Sequence, residues 1–306
     1  MRLDDYRMSD NVQNDRGSGG GFGFGGGGGG GGIFGLLFGL VLSRFGIGGV
    51  LILALGYCAL SSLGGGSLTG GQPAAVAPHQ AQGSAAAEGN GCATDANSQL
   101  SCRVLASTED TWGALFTRSG EAYQPTTLVF YARSDRSGCG AAQSAMGPFY
   151  CPTDKKIYLD TAFYDELQNR FGASGDFAQA YVIGHEVGHH IQDLTGALEQ
   201  ASAAQARAST AAGNAIQVKI ELQADCYAGV WAANAKAKDG RPLLEPGDVE
   251  EGLRAAQAIG DDTLQKQAQG RVVPESFTHG SSAQRMAWLK KGLQSGNPAA
   301  CDTSAV

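Results

Sequence analysis

Apolar residues divide the chain into two unlike parts. One continuous apolar run begins at Ile33, breaks at Ser43-Arg44, resumes at Phe45 and ends near Leu63. Beyond it, apolar positions recur with a period instead of in a block. Residues 104–118 read as a helix. Residues 126–131 and 156–160 are rich in β-branched and aromatic side chains and read as strands. Over 161–171, Phe163, Leu167 and Phe171 recur at fourfold spacing, as on one face of a helix. Asp176 and Gln179 then resemble the start of a capping box. Phe177, Tyr181, Val182 and His185 follow at helical spacing. An Ala/Gln/Ser-rich connector over 196–213 leads into a strong helix over about 214–236, and further helices follow over about 247–259 and 281–294. The pattern predicts an α+β fold, mainly helical with a small sheet.

The apolar run changes the picture of where such a domain sits. An arginine at the middle of a bilayer is costly, so the expected membrane span is 45–63, with Arg44 at the interface and 33–43 lying at the surface before it. A signal peptide is disfavoured by the 44-residue lead and the lack of a clean cleavage site. Residues 17–32 are almost all glycine, so 1–32 are expected to be a disordered tail. Residues 64–90, rich in Gly, Ala, Ser, Gln and Pro, are expected to be a flexible stalk. Four arginines lie at or before position 44, and no Lys or Arg occurs from 45 to 102. The positive-inside rule then predicts a single-pass protein of the cell (inner) membrane, its N-terminus cytoplasmic and residues 91–306 extracytoplasmic, or periplasmic.

About 200 residues remain for one buried core. The net charge of −7 comes without a basic patch, which excludes nucleic acid as the expected partner. Of the seven cysteines, Cys58 falls in the expected span and six follow it, an even number that fits export. Neighbouring pairs Cys92–Cys102 and Cys139–Cys151 would close short loops and leave Cys226 with Cys301, although six cysteines allow 15 pairings. A zinc–cysteine site is disfavoured because no spacing is C-x-x-C.

The candidate chemistry lies in Tyr181-Val182-Ile183-Gly184-His185-Glu186-Val187-Gly188-His189-His190. Four helical residues turn the chain by roughly 400°, so His185 and His189 share a face and can bind one zinc ion. Glu186 lies beside them as a candidate general base. His190 points elsewhere and reads as a polar residue on the exposed flank. Gly184 and Gly188 read as points of close approach for another helix. A catalytic zinc site usually takes a third protein ligand. On the later helix Glu221 and Asp225 stand four apart among Ile216, Ile220, Leu222, Val230 and Trp231. Buried carboxylates need partners, so Glu221 is the candidate third ligand and Asp225 the candidate acceptor for a ligand-histidine N–H. The alternative is a solvated acidic face.

H-E-x-x-H followed by Glu221-x-x-x-Asp225 resembles the gluzincin metallopeptidases. More closely, the chain resembles the bacterial putative neutral zinc metallopeptidase family. The matching stretches are Ser9-Asp10-Asn11-Val12, Ser107-Thr-Glu-Asp-Thr-Trp112, the histidine helix, Glu221-Leu-Gln-Ala-Asp-Cys226, and Gly270 to Pro274 through Phe277-Thr-His-Gly280. The resemblance implies a membrane-anchored zinc peptidase of zincin-like fold, with a peptide or protein as substrate. Related membrane metallopeptidases carry a His and an Arg six apart beyond the third ligand, which His279 and Arg285 match. His279 is then expected to donate to the oxyanion of the tetrahedral intermediate and Arg285 to orient the site. A loop histidine and a surface arginine are the alternatives. Zincins pair extended substrates with an edge strand, and 156–160 is the candidate, with a plain core strand as the alternative. Another zinc hydrolase of amidase type and a non-catalytic anchored binding module remain the rival functions.

Overall fold

The computed structural model of the chain describes residues 1–17 and 91–306. The expected span over 45–63, the apolar segment before it, nearly all of the glycine run, the stalk over 64–90 and Cys58 lie outside the described residues. Among the described residues no helix is long and apolar enough to cross a membrane. The described part is mostly helical with a small sheet. Its strands are β1 (Val12–Asn14), β2 (Thr127–Phe130), β3 (Ser134–Ser137), β4 (Gly140–Gln143), β5 (Phe149–Cys151) and β6 (Lys156–Leu159). Its helices are α1 (Ala96–Arg118), α2 (Ala162–Asn169), α3 (Asp176–Leu194), α4 (Ala197–Gln205), α5 (Thr210–Asn234), α6 (Asp248–Ala258), α7 (Asp261–Gln269) and α8 (Ser282–Ser295).

The main sheet has the order β1-β2-β6-β5. β1 and β6 run parallel to β2, and β5 runs antiparallel to β6. β2 is central, and Leu128, Val129 and Phe130 are all fully buried, as a strand covered on both faces requires. β6 is central too, so 156–160 is the core strand that was the alternative and not a substrate-pairing edge. β5 covers the side that β6 would have offered to a substrate. β3 and β4 form a separate antiparallel pair.

The opening segment also departs from expectation. Residues 1–17 belong to the folded body instead of a disordered tail. Val12 pairs with Leu128 in β2, and Met1 and Leu3 are buried in the main core. A local composition of alternating charges concealed this, because those charges meet partners far along the chain.

The helices are packed around α5. At about 1.5 Å per residue its 25 residues span about 37 Å, and it is buried through most of Val218–Ala232. α3 lies against it through glycines. A Cβ added at Gly188 would sit 2.8 Å from the Ala224 carbonyl oxygen, and one at Gly184 would sit 2.9 Å from the Trp231 ring. On the other side of α5, a Cβ at Gly292 of α8 would lie 2.0 Å from the Cys226 carbonyl oxygen. No Cβ fits on the glycine side of these crossings, whether it would meet main chain or, at Gly184, the Trp231 ring, and the helix cost of glycine, about 1 kcal/mol each, is offset by that approach.

Capping holds the helix starts. Asp95 accepts from the Ser98 amide at α1, and Ser281 and Gln284 form a reciprocal capping box at α8. α1 therefore begins eight residues before the helix expected from 104. α3 is not capped by Asp176. Gly175, at φ 116°, holds the N-cap, and the Asp176 carboxylate instead accepts from the Met1 amino group at 2.5 Å. Three disulfides join Cys92 to Cys102, Cys139 to Cys151 and Cys226 to Cys301. The last ties the C-terminal segment to α5.

Candidate active site

The buried apolar surroundings of α3 and α5 are interrupted at the same level by polar side chains, and these meet. His185 Nε2 lies 3.1 Å from His189 Nε2 and 3.1 Å from Glu221 Oε2. His189 Nε2 lies 3.6 Å from the same oxygen. Ligands about 2.0–2.1 Å from a tetrahedral zinc ion stand about 3.3 Å from one another, so the three separations suit one ion. All three residues are largely enclosed, with side-chain exposures of 8%, 13% and 8% for His185, His189 and Glu221.

The hydrogen bonds around the cluster fix which atoms face inward. His185 Nδ1 is 2.8 Å from Asp225 Oδ1, and His189 Nδ1 is 2.8 Å from Gln192 Oε1. The Gln192 amide nitrogen is already donating to the Ile220 carbonyl and to Gln223 Oε1, so its oxygen must accept from His189. Both imidazoles thus hold their N–H groups on Nδ1 and turn Nε2 lone pairs inward. Gln217 donates to the outer oxygen of Glu221 at 2.9 Å, which leaves the inner oxygen for the cluster. Three lone pairs converging in a buried space repel one another unless a cation stands among them. Without a metal, a proton must fill that role. Burial alone would lower the His185 pKa, but Asp225 and Glu221 raise it to about 10. Burial would likewise raise Glu221, yet the charges of His189 and His279 and a hydrogen bond from His185 hold it well below the usual carboxylate range.

Behind this cluster lies a second buried layer. Arg285, 3% exposed, donates from Nε to Asp225 Oδ2 and from Nη2 to Asp225 Oδ1, each at 2.9 Å. This two-pronged pair disposes of the surface-arginine alternative. Burial would raise the Asp225 carboxyl, but Arg285 and His185 hold it at about 2. Tyr181 donates to Asp225 at 2.5 Å and accepts from Arg285 at 3.1 Å. Asp225 is thereby kept ionised and aimed at His185, and the solvated-face alternative for Glu221 and Asp225 falls with it.

Glu186 follows His185 on α3 and is buried. His279 lies in the loop before α8 with its side chain 42% exposed. Asp261 at the start of α7 accepts from the His279 backbone amide at 2.6 Å and lies 3.2 Å from His279 Nδ1, so the loop is anchored and the outer ring nitrogen left available. His190, expected on the exposed flank, is 1% exposed. Its Nε2 donates to the Gln124 carbonyl at 2.6 Å, and its Nδ1 meets the Tyr150 hydroxyl at 3.1 Å. Burial lowers its pKa, which keeps it neutral. Sequence reasoning did not single out Gln192 or Gln217, and placed Tyr181 only on the inward stripe of the histidine helix. The only signal was spacing: Gln192 stands three residues after His189 and Gln217 four before Glu221, both within reach along a helix.

The model of the putative neutral zinc metallopeptidase family matches residues 1–304. This chain belongs to that family. Similar relatives are the uncharacterized protein YpfJ of Escherichia coli K12, 55% identical over 200 residues, covering 65% of this chain and 69% of the relative. The uncharacterized protein Rv2575 of Mycobacterium tuberculosis H37Rv is 46% identical over 220 residues, covering 68% of this chain and 72% of the relative. No solved structure matches. Membership of the family implies zinc, and the buried His185–His189–Glu221 group is a fitting place for it.

Proposed function

We propose that this member of the family is a zinc-dependent peptidase that hydrolyses peptide bonds, probed by a protein or peptide substrate and held at a membrane by its apolar run over 33–63. The reading rests on one observation: two histidines with fixed tautomers and one carboxylate oxygen converge at the spacing of a tetrahedral ion. His185, His189 and Glu221 would hold the zinc. When bound, zinc supplies Lewis acidity that polarises a scissile carbonyl and acidifies a water. Glu186 takes the proton of the attacking water and passes it to the leaving amine. His279 donates to the oxyanion of the tetrahedral intermediate. Arg285 acts through Asp225, keeping that carboxylate charged so that it orients His185. An extended substrate would pair with β5, an edge of the main sheet whose Tyr150 contacts the residue beside His189. The three disulfides favour an extracytoplasmic place for residues 91–306.

The test compares Glu186→Gln with Glu221→Ala in purified protein. Glu186→Gln should retain zinc and lose peptide hydrolysis, whereas Glu221→Ala should lose most of its zinc. Full zinc occupancy in Glu221→Ala, or undiminished hydrolysis in Glu186→Gln, would sink the assignment.

A further inference from the structure

The expected topology puts the chain's start and its catalytic body on opposite sides of a bilayer. The packing of residues 1–17 argues otherwise. Their contacts are those of an integral element. The Leu128 amide donates to the Asn11 carbonyl at 2.9 Å and the Asp15 amide to the Phe130 carbonyl at 2.8 Å, which locks β1 onto β2. Further back, the Ser9 amide donates to the Cys102 carbonyl at 3.1 Å. The Arg2 amide donates to the Leu243 carbonyl at 2.9 Å.

The body also contains a buried group made for this segment. Glu109 of α1 is 8% exposed. One of its oxygens accepts from Ser9 Oγ at 2.5 Å and Asn11 Nδ2 at 2.8 Å, and the other pairs with Arg7 at 2.8 Å. A buried carboxylate needs such partners, and residues 7–11 supply them. The stretches Ser9–Val12 and Ser107–Trp112, distant in sequence, therefore meet as one unit.

These contacts also explain the arginine asymmetry. Arg2 donates to the Pro242 and Leu244 carbonyls, each at 2.8 Å. Arg7 holds Glu109 and Asp110. Arg16 donates to Ser98 and lies 4.4 Å over the Phe130 ring. Three of the four arginines that suggested a cytoplasmic N-terminus are thus folding contacts, and only Arg44 is left to report on orientation.

We infer that residues 1–17 and 91–306 occupy the same side of whatever membrane the apolar run over 33–63 enters, so that the chain between them makes an even number of crossings, zero included. Main-chain hydrogen bonds and the Arg7 ion pairs with Glu109 and Asp110 cannot form across a hydrocarbon core about 30 Å thick. A second copy supplying the segment would meet the same constraint. The inference stands apart from the zinc chemistry.

Asp5 and Lys238 are exposed and line one shallow depression of the surface. The test makes Asp5→Cys and Lys238→Cys separately in full-length protein carrying Cys58→Ser. Spheroplasts of a bacterial host are treated with a membrane-impermeant maleimide, and the label is compared with that reached after lysis and denaturation. The two positions should be labelled to the same fraction within about twofold, both high or both low. Labelling of Lys238→Cys in spheroplasts with Asp5→Cys reached only after lysis would establish a single crossing and overturn the inference, as would the reverse pattern. Accumulation and melting temperature of each variant at the parent level confirm that the folded protein is being read.

Discussion

His189 and His190 are adjacent on one helix and face opposite neighbourhoods. His189 directs Nε2 into the converging cluster with His185 and Glu221, and its other nitrogen is held by Gln192. His190 has both nitrogens engaged, by a backbone carbonyl and by Tyr150. The Tyr150 hydroxyl also lies 2.8 Å from Asp193 Oδ2, so its one proton is shared between that carboxylate and His190 Nδ1, and the His190 ring lies among Tyr123 and Tyr150. A step of 100° around the helix separates a candidate ligand from a tie between α3 and β5. What differs is the partner set. A histidine with one nitrogen anchored and the other facing lone pairs is suited to a cation, and one whose two nitrogens face a backbone carbonyl and a tyrosine hydroxyl is suited to packing.

The sharpest way to break this comparison is to delete each ring in turn. His189→Ala should abolish stoichiometric zinc, as read by elemental analysis, and with it hydrolysis. His190→Ala should retain zinc but lower stability by about 1–3 kcal/mol, because Tyr150 and the Gln124 carbonyl lose a buried partner; denaturant unfolding measures this. Equal zinc loss in both variants would erase the distinction. His279→Ala comes next. It should keep zinc and leave KM nearly unchanged while lowering kcat by roughly 10²–10³. Zinc loss there would make His279 a ligand, and unchanged kcat with a lowered Tm would make it a packing residue.

Smaller effects grade the supports of the two ligand histidines. Asp225→Ala should weaken zinc affinity or activity by about 10–100-fold, since it removes the acceptor of His185 and leaves Arg285 buried without its partner. Gln192→Leu should cost less, toward about 10-fold, because a neutral amide polarises His189 less than a carboxylate polarises His185. Competition with a chromogenic chelator ranks the two. A larger loss for Gln192→Leu would reverse the order of support.

The site was legible because its parts repeat at helical spacing. His185, His189, Glu221 and Asp225 each stand four apart in pairs, so two helices sufficed to place them, and the apolar residues around them marked the inward faces. The supports were less so. Gln192 and Tyr181 are buried polar residues whose roles depend on which partner crosses from α5 or α8, and no spacing reveals that. Elements without an apolar stripe were also missed. α4 has no buried residue, and α7 buries only Asp261, so the period that betrays a helix is absent from both. β1 and β5 are three residues long, too short for alternation to register. The capping reading at Asp176 failed because a glycine with positive φ can take the N-cap instead, and because the carboxylate had a partner elsewhere in the chain.

The glycine crossings of α3 and α5 carry a consequence for tolerance. Where side chains separate two helices, a substitution can be absorbed by a change of rotamer. At Gly188 the nearest atoms are the main chain of Ala224, so this glycine works as a gauge block between the histidines and Glu221. An alanine would place its methyl carbon 2.8 Å from the Ala224 carbonyl oxygen and force the helices apart by some tenths of an ångström. Metal–ligand distances are held to about 0.2 Å. One methyl group, touching none of the three candidate ligands, is therefore enough to put the site out of calibration.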